Sequence, residues 1–142
     1  MSPNNDTAYS IAICDVRQGP LVLHVPDTHD RYCVLQFIDA WTNNFAYIGR
    51  RATGTREGEF LLADRGYSGE VPKGMRVVHA PTGAFTIGGR FQVDGAADLP
   101  TVHTLQDRLS LTPLSVYSGE AAPPPVEGIP TPDPRVGEEL EW

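Results

Sequence analysis

The sequence predicts a mainly β fold, an antiparallel β-sandwich with one short amphipathic helix. Gly and Pro are abundant, at 14 and 13 of 142 residues, as expected where tight turns join many short elements. Short segments alternate apolar residues with other residues, which is the pattern of half-buried strands. A chain of this length is also sufficient for one domain with a hydrophobic core.

Seven segments have the periodicity or the β-branched and aromatic content of strands. The first has Tyr9, Ile11 and Ile13 on one face. Residues 31–40 are apolar on both faces over their middle, which predicts a central, fully covered strand. Gly88-Gly89 interrupts the last strand and predicts a bulge or a close backbone approach. The predicted strands are 7–15, 21–25, 31–40, 44–48, 59–64, 75–80 and 85–93.

One helix is predicted after the last strand. Asp98 is suited to cap its N-terminus, and Pro100 falls in the first turn, where a missing N–H costs nothing. Thr112-Pro113 is expected to end it. The residues at three- and four-residue spacing that would pack on the sandwich are Leu99, Val102, Leu105 and Leu109.

The composition changes after Tyr117. Residues 121–135 hold most of the late prolines and almost no apolar residues, which favours an extended polyproline-type linker. Residues 136–142 resemble the opening of a further helix, so we expect the natural polypeptide to continue. The predicted units are a β-sandwich domain over 1–117, a proline-rich linker over 118–135 and the start of another element over 136–142.

The charge of the chain disfavours nucleic acid as a partner. The formal net charge is -7 at pH 7, and the arginines are scattered rather than clustered against a phosphate backbone. No segment approaches the roughly 20 apolar residues of a membrane span. Cys14 and Cys33 lie in apolar runs and are predicted to be buried free thiols, with a disulfide as the alternative. The sequence does not distinguish a cytoplasmic from an exported protein.

Polar residues cluster where three of the predicted strands begin or end, and these are the candidate ligand-binding residues. Each also has a structural explanation: Asn and Asp hold turns, Asp39 satisfies backbone amides, and Arg90 pairs with Asp6 or Asp39. The candidates are Asn4, Asn5, Asp6, Asp39, Trp41, Thr42, Asn43, Arg90 and Asp94.

Motifs that would define a reaction are missing from the sequence. His24, Asp27, His29 and Asp30 lie close together but lack the paired spacing of metal ligands, so we expect no metal and no cofactor. We find no nucleophile elbow, no catalytic flank at either cysteine and no phosphate-binding loop. The sequence leaves open whether the protein is an enzyme.

A series of short motifs follows in order along residues 2–114. They are Ser2–Thr7, Gly19-Pro20, Val25–Asp27, Arg31–Gln36, Asp39–Asn43, Thr53-Gly54, Ala80–Thr82, Gly89-Arg90, Val93–Gly95, Leu105–Asp107 and Leu111–Leu114. Together they resemble the family named domain of unknown function 1254. The resemblance implies an immunoglobulin-like β-sandwich, preceded by helical sequence and followed, after a linker, by a jelly-roll domain of the same chain, domain of unknown function 1214. It implies no activity.

Two functions from different classes follow from these observations. The first is a structural or interdomain module, whose polar motifs hold strand corners and whose apolar edge docks a neighbouring domain. The alternative is a small-molecule or carbohydrate-binding domain of a hydrolase-like enzyme, with Asp6 and Asp39 as acid and base in one pocket. That alternative requires the two carboxylates within roughly 10 Å of each other. Whether the chain forms a homo-oligomer is left open.

Overall fold

The fold is a sandwich of two four-stranded sheets, described over residues 6–124 by a computed structural model. The strands are β1 (Thr7–Asp15), β2 (Leu21–Val25), β3 (Cys33–Asp39), β4 (Asn44–Gly49), β5 (Gly58–Asp64), β6 (Arg76–Ala80), β7 (Ala84–Gln92) and β8 (Ser110–Pro113). A 3-10 turn (Ala96–Asp98) leads into helix α1 (Leu99–Asp107), and the single-turn helix α2 (Leu114–Tyr117) follows β8.

Sheet A has the strand order β1-β7-β3-β4, and sheet B has the order β6-β5-β2-β8. All the pairs of sheet A are antiparallel, as predicted. In sheet B, β5 and β6 are parallel. Parallel neighbours need a crossover, so residues 65–75 return along the sheet before β6 begins.

The core lies between the sheets and also takes in α1. Phe37 and Phe91 of sheet A are fully buried there, as is Leu62 of sheet B. Phe37 contacts Phe45 edge to face, with ring centroids 5.9 Å apart. Val102 of α1 is fully buried in the same core, which confirms that the helix packs on the sandwich.

The strand covered on both faces is β5 rather than β3. Leu61, Leu62 and Ala63 are consecutive and each is fully buried. In β3 burial alternates, because every second side chain points to a face of sheet A that no described element covers. The sequence prediction for residues 31–40 was therefore wrong on this point.

The predicted helix is shorter than expected. It ends at Asp107, and the segment that was expected to complete it, Ser110–Pro113, instead pairs with β2 as an edge strand. Asp98 makes no side-chain capping bond. Leu109 lies outside the helix but still packs against the core. Pro113 is compatible with the strand because it lies at the end of an edge.

Gly88 and Gly89 do not form a bulge, because the register of β7 with both neighbours continues through them. Gly89 faces the interior, where an added Cβ would lie 3.0 Å from Leu35 and 3.2 Å from Ser10. Gly88 faces outward. The close approach predicted from the pair is therefore present at Gly89.

Part of the predicted organisation falls outside the described residues. Residues 118–122 are exposed, but most of the predicted linker and the element over 136–142 lie beyond residue 124. The linker, the domain boundaries and the immunoglobulin-like comparison remain predictions. Between residues 6 and 124, no helix is both long and apolar enough to cross a membrane.

Candidate functional site

Asp39 organises the corner between β3 and β4. Its carboxylate accepts backbone N–H bonds from Trp41 at 2.9 Å and Asn43 at 2.8 Å, and it accepts a further bond from the Asn43 side chain at 3.2 Å. Thr42 adopts a left-handed conformation, with φ of 67°, which the turn requires. Trp41 is 77% exposed, so it does not fill the core.

Two opposing effects set the pKa of Asp39. Burial of the carboxyl alone would raise its pKa. Hydrogen bonds from the backbone and side chain of Asn43 and from the backbone of Trp41 outweigh burial and hold the pKa below its usual range. The group is therefore held as a carboxylate by its own corner, which is the structural role that the sequence offered as an alternative.

An ion pair joins the segment just before β3 to the start of α1. Arg31 donates to both carboxylate oxygens of Asp98, at 2.5 and 2.8 Å, and to the Gln92 carbonyl at 2.8 Å. Asp98 also accepts the Asp94 N–H at 2.9 Å. The Arg31 side-chain bond lowers the pKa of Asp98, with the Asp94 N–H contributing. The partners are 67 positions apart in the sequence, so no local pattern could have predicted this pair.

Arg90 has a different neighbour from those proposed for it. Its guanidinium lies 5.5 Å from the centroid of the Tyr9 ring, its cross-strand partner in β1. A cation over an aromatic face is attracted by the ring quadrupole. This contact with Tyr9 differs from the ion pair with Asp6 or Asp39 that was predicted for Arg90.

Asp94 lines an open groove of about 730 Å³ at the end of the sandwich where α1 begins. Arg31, Arg50 and Arg108 also line it. Arg50 is bonded to Asp30 at 3.2 Å, and Arg108 lies 3.7 Å from Glu57. The groove therefore contains both charges and has the size of a small-molecule site.

The candidate residues do not converge on one site. The backbone carbonyl of Asp6 accepts the Val93 N–H beyond one end of β7, whereas Asp39 is the cross-strand partner of Phe85 near the other end. The seven residues of β3 separate these ends by about 20 Å. A single pocket with Asp6 and Asp39 as acid and base is therefore not formed. Asn4 and Asn5 lie outside the described residues.

The face of sheet A that points away from the core, here called the outer face, is covered by none of the elements between residues 6 and 124. Cross-strand partners lie on the same face of a sheet, so the strand register gives its members. Its three central rows are Tyr9–Arg90–Val34–Gly49, Ile11–Gly88–Gln36–Tyr47 and Ile13–Thr86–Ile38–Asn44, and the pairs Thr7–Gln92 and Asp15–Ala84 flank them.

The β1 edge of this face has an inverted pattern. Tyr9, Ile11 and Ile13 are 53%, 76% and 68% exposed. The side chains that β1 directs inward are small, as at Ala8 and Ala12. Large apolar residues normally point into the core, so β1 presents an unusual row of large side chains on the exposed face of its sheet.

Three of the polar side chains on the outer face contact a neighbour on the same face. Gln36 donates to the Asn44 side chain at 2.6 Å, and Arg90 lies over Tyr9. Arg90 is also the only charged side chain in the three rows. A surface that covered the three rows would therefore bury a single charged side chain, and charged residues are depleted in the centre of docking surfaces.

Gly88 lies at the centre of the outer face, and neither its backbone conformation nor its neighbours require a glycine there. Its φ is not left-handed, and an added Cβ would meet nothing within 4 Å. Glycine in a strand interior costs about 0.5–1 kcal/mol relative to alanine. Such a glycine often marks the place where another backbone comes close.

The two thiols are buried, and the histidines of the described residues do not belong to a metal-binding group. Cys14 and Cys33 are free and buried, as predicted, and burial raises the pKa of Cys14 to about 12. Their partners in β7, Phe85 and Phe91, lie six positions apart, so the sulfurs are too distant to bond. Within residues 6–124, no three His, Cys, Asp or Glu side chains form a group suited to a metal ion.

These observations define the protein as a two-sheet β-sandwich domain with an exposed apolar sheet face. The family model described as "Protein of unknown function (DUF1254)" matches residues 1–113. The chain belongs to this family, as its motifs predicted. Among curated proteins, none matches the chain.

A solved structure shares the fold. The chain is similar to the VPA0106 protein from Vibrio parahaemolyticus, with 30% sequence identity and a TM-score of 0.83. The match covers 93% of this chain and 33% of the Vibrio chain. The present chain therefore spans about a third of the length of that relative.

Proposed function

We propose that this domain is a structural module whose outer face docks a further domain of the same polypeptide. The observation that carries the proposal is the inverted pattern of β1, with Tyr9, Ile11 and Ile13 exposed and small residues beneath. Burial of Ile11 and Ile13 would contribute about 1–2 kcal/mol each. Gly88 would let the docked backbone approach the sheet closely.

The length of the Vibrio relative supports a docked domain of the same chain. Two thirds of that protein lie outside the matched region, so one polypeptide there carries this domain together with much additional sequence. The jelly-roll domain implied by the family resemblance is the proposed occupant. In this reading Asp39 and the Arg31–Asp98 pair hold the corners that keep sheet A in shape.

Hydroxyl-radical footprinting tests the proposal. This chain is labelled alone and again when expressed with the segments that flank it in its gene. We expect Tyr9, Ile11 and Ile13 to be labelled in the first sample and protected at least severalfold in the second. Tyr117, which is 45% exposed and lies beyond sheet B, is the internal control and should be labelled equally in both.

Equal labelling of the β1 side chains in both samples would overturn the proposal. So would a gene that encodes no further domain. Protection of Tyr117 together with β1 would indicate general compaction rather than docking on the outer face.

The groove beside Asp94 favours a second candidate function, the binding of a small polar ligand. Its mixed charges and its volume of about 730 Å³ support this alternative. Thermal unfolding in the presence of neutral sugars and amides tests this alternative. Asp94→Ala is the variant, and Asp107→Ala, which removes an exposed carboxylate of α1, is the control. A stabilisation lost only in Asp94→Ala supports the alternative, and no stabilisation by either class of compound rejects it.

A further inference from the structure

A slot opens at one side of the sandwich, between β1 at the edge of sheet A and β8 at the edge of sheet B. Its volume is about 240 Å³. Leu23, Leu35 and Ile87 form its floor, and these core residues are only 2–4% exposed. The slot therefore leads from the edge of the sandwich to the core, and it shares only Ile11 with the outer-face rows.

The sequence of β1 explains why the slot is open. Ser10 and Ala12 point inward from β1 and are too small to fill the space opposite Leu23 and Leu111. An unfilled apolar space loses the dispersion contacts of its lining, which costs stability. A chain that keeps small residues here leaves room that a ligand can fill.

The residues that line the slot are uncharged and mostly apolar. No charged side chain lines the slot. The polar lining includes Gln106, whose side-chain amide donates to Ser10 Oγ and to the Tyr9 carbonyl, each at 2.9 Å. An ionised ligand would find no counter-ion there, whereas a neutral head group could reach the hydroxyls of Ser10 and Ser110 at the rim.

We propose that the slot binds one unbranched aliphatic chain with a neutral head group. A cavity of about 150 Å³ holds benzene, so this slot has room for roughly eight to ten carbons. A flexible methylene chain matches the apolar lining that leads down to Leu23, Leu35 and Ile87.

Methyl NMR of the complete chain with 1-hexanol, 1-octanol and 1-decanol tests the proposal. We expect the methyl signals of Leu23, Leu35 and Ile87 to shift on addition of alcohol. Affinity should rise about threefold to fourfold per added methylene until the slot is full. Leu61, which is fully buried but outside this core, is the control and should not shift. Octanoate should bind at least tenfold more weakly than 1-octanol.

A larger side chain in place of Ala12 should occupy the slot, and the same substitution at an exposed position provides the matched control. Ala12→Leu should abolish the shifts at Leu23 and Leu35, whereas Ala40→Leu, the same change at an exposed turn, should leave them unchanged. If Ala12→Leu does not fold, Leu109→Phe narrows the slot from the opposite rim and should weaken binding tenfold. The absence of shifts with every alcohol would overturn the proposal, as would equal binding of octanoate or of either filled variant.

Discussion

Asp39 shows how a candidate catalytic residue can be a structural one. Both of its oxygens accept hydrogen bonds from Trp41 or Asn43, within four residues of itself. A carboxylate used in this way determines the path of the chain from β3 to β4. It is also stabilised in its charged form, which is the opposite of what a general acid needs.

The lowered pKa of Asp39 predicts an acid-sensitive corner. A carboxyl whose pKa is lower in the folded than in the unfolded state stabilises the fold above its unfolded pKa. This stabilisation is lost as pH falls through the folded pKa. Asp39→Asn should therefore reduce the loss of unfolding free energy between about pH 5 and pH 2 in urea titrations. Asp107→Asn controls for the loss of one charge, and an unchanged slope in Asp39→Asn would contradict the prediction.

Gly49 is a residue for which no other amino acid fits. Its φ is 139°, and an added Cβ would lie 2.2 Å from the Cys33 carbonyl oxygen. Gly49→Ala should lower the free energy of unfolding by about 3 kcal/mol or more, measured by urea denaturation. Gly54→Ala also has a positive φ but meets nothing within 4 Å, so it should cost only about 1 kcal/mol. Equal losses of unfolding free energy in Gly49→Ala and Gly54→Ala would contradict the predicted clash at Gly49.

At the scale of the elements, the sequence predicted seven strands within two residues of their observed ends. The alternation of apolar residues and the Gly and Pro turns are local signals, and local signals determine where strands begin and end. What covers each face of a strand depends on distant parts of the chain. For this reason the sequence predicts that β3 rather than β5 is covered on both faces. It likewise predicts the end of a helix where the structure has β8.

The covered position of β5 predicts a large effect of truncation at Leu61. Leu61→Ala should destabilise the fold by about 2–5 kcal/mol in urea denaturation, as for a fully buried leucine. Val34→Ala, on the half-exposed face of β3, should cost less than about 1.5 kcal/mol. The reverse order would mean that β3 is the covered strand after all.

The edge of β1 predicts self-association of this chain on its own. Gln106 donates to the Tyr9 carbonyl, so alternation directs the backbone groups of Ile11 and Ile13 away from β7 as well. An apolar edge of this kind pairs readily with another strand. Ile11→Lys and Ile13→Lys should shift the chain toward monomer in sedimentation experiments. Val71→Lys, at an exposed residue outside the strands, should not, and a monomeric parent chain would contradict the prediction.

At the scale of the whole molecule, the candidate site could be predicted only in part. The sequence showed which polar residues lie at strand ends, and Asp39 and Asp94 are at such ends. It did not show that the two lie at opposite ends of sheet A, because that depends on strand order and register. The outer face was hidden for another reason, since β1 is apolar or small on both sides and its pattern does not say which side faces the core.

Gly88→Val tests most directly whether the outer face is a docking surface. In this chain alone, Gly88→Val should leave the thermal unfolding midpoint unchanged or raise it by the equivalent of at most about 1 kcal/mol. The reason is that the new side chain enters open space. In the polypeptide that includes the flanking segments of the gene, the same change should lower the unfolding midpoint, whereas Thr86→Val on the same face should not. An equal change of the unfolding midpoint by Gly88→Val in both proteins would contradict docking on the outer face.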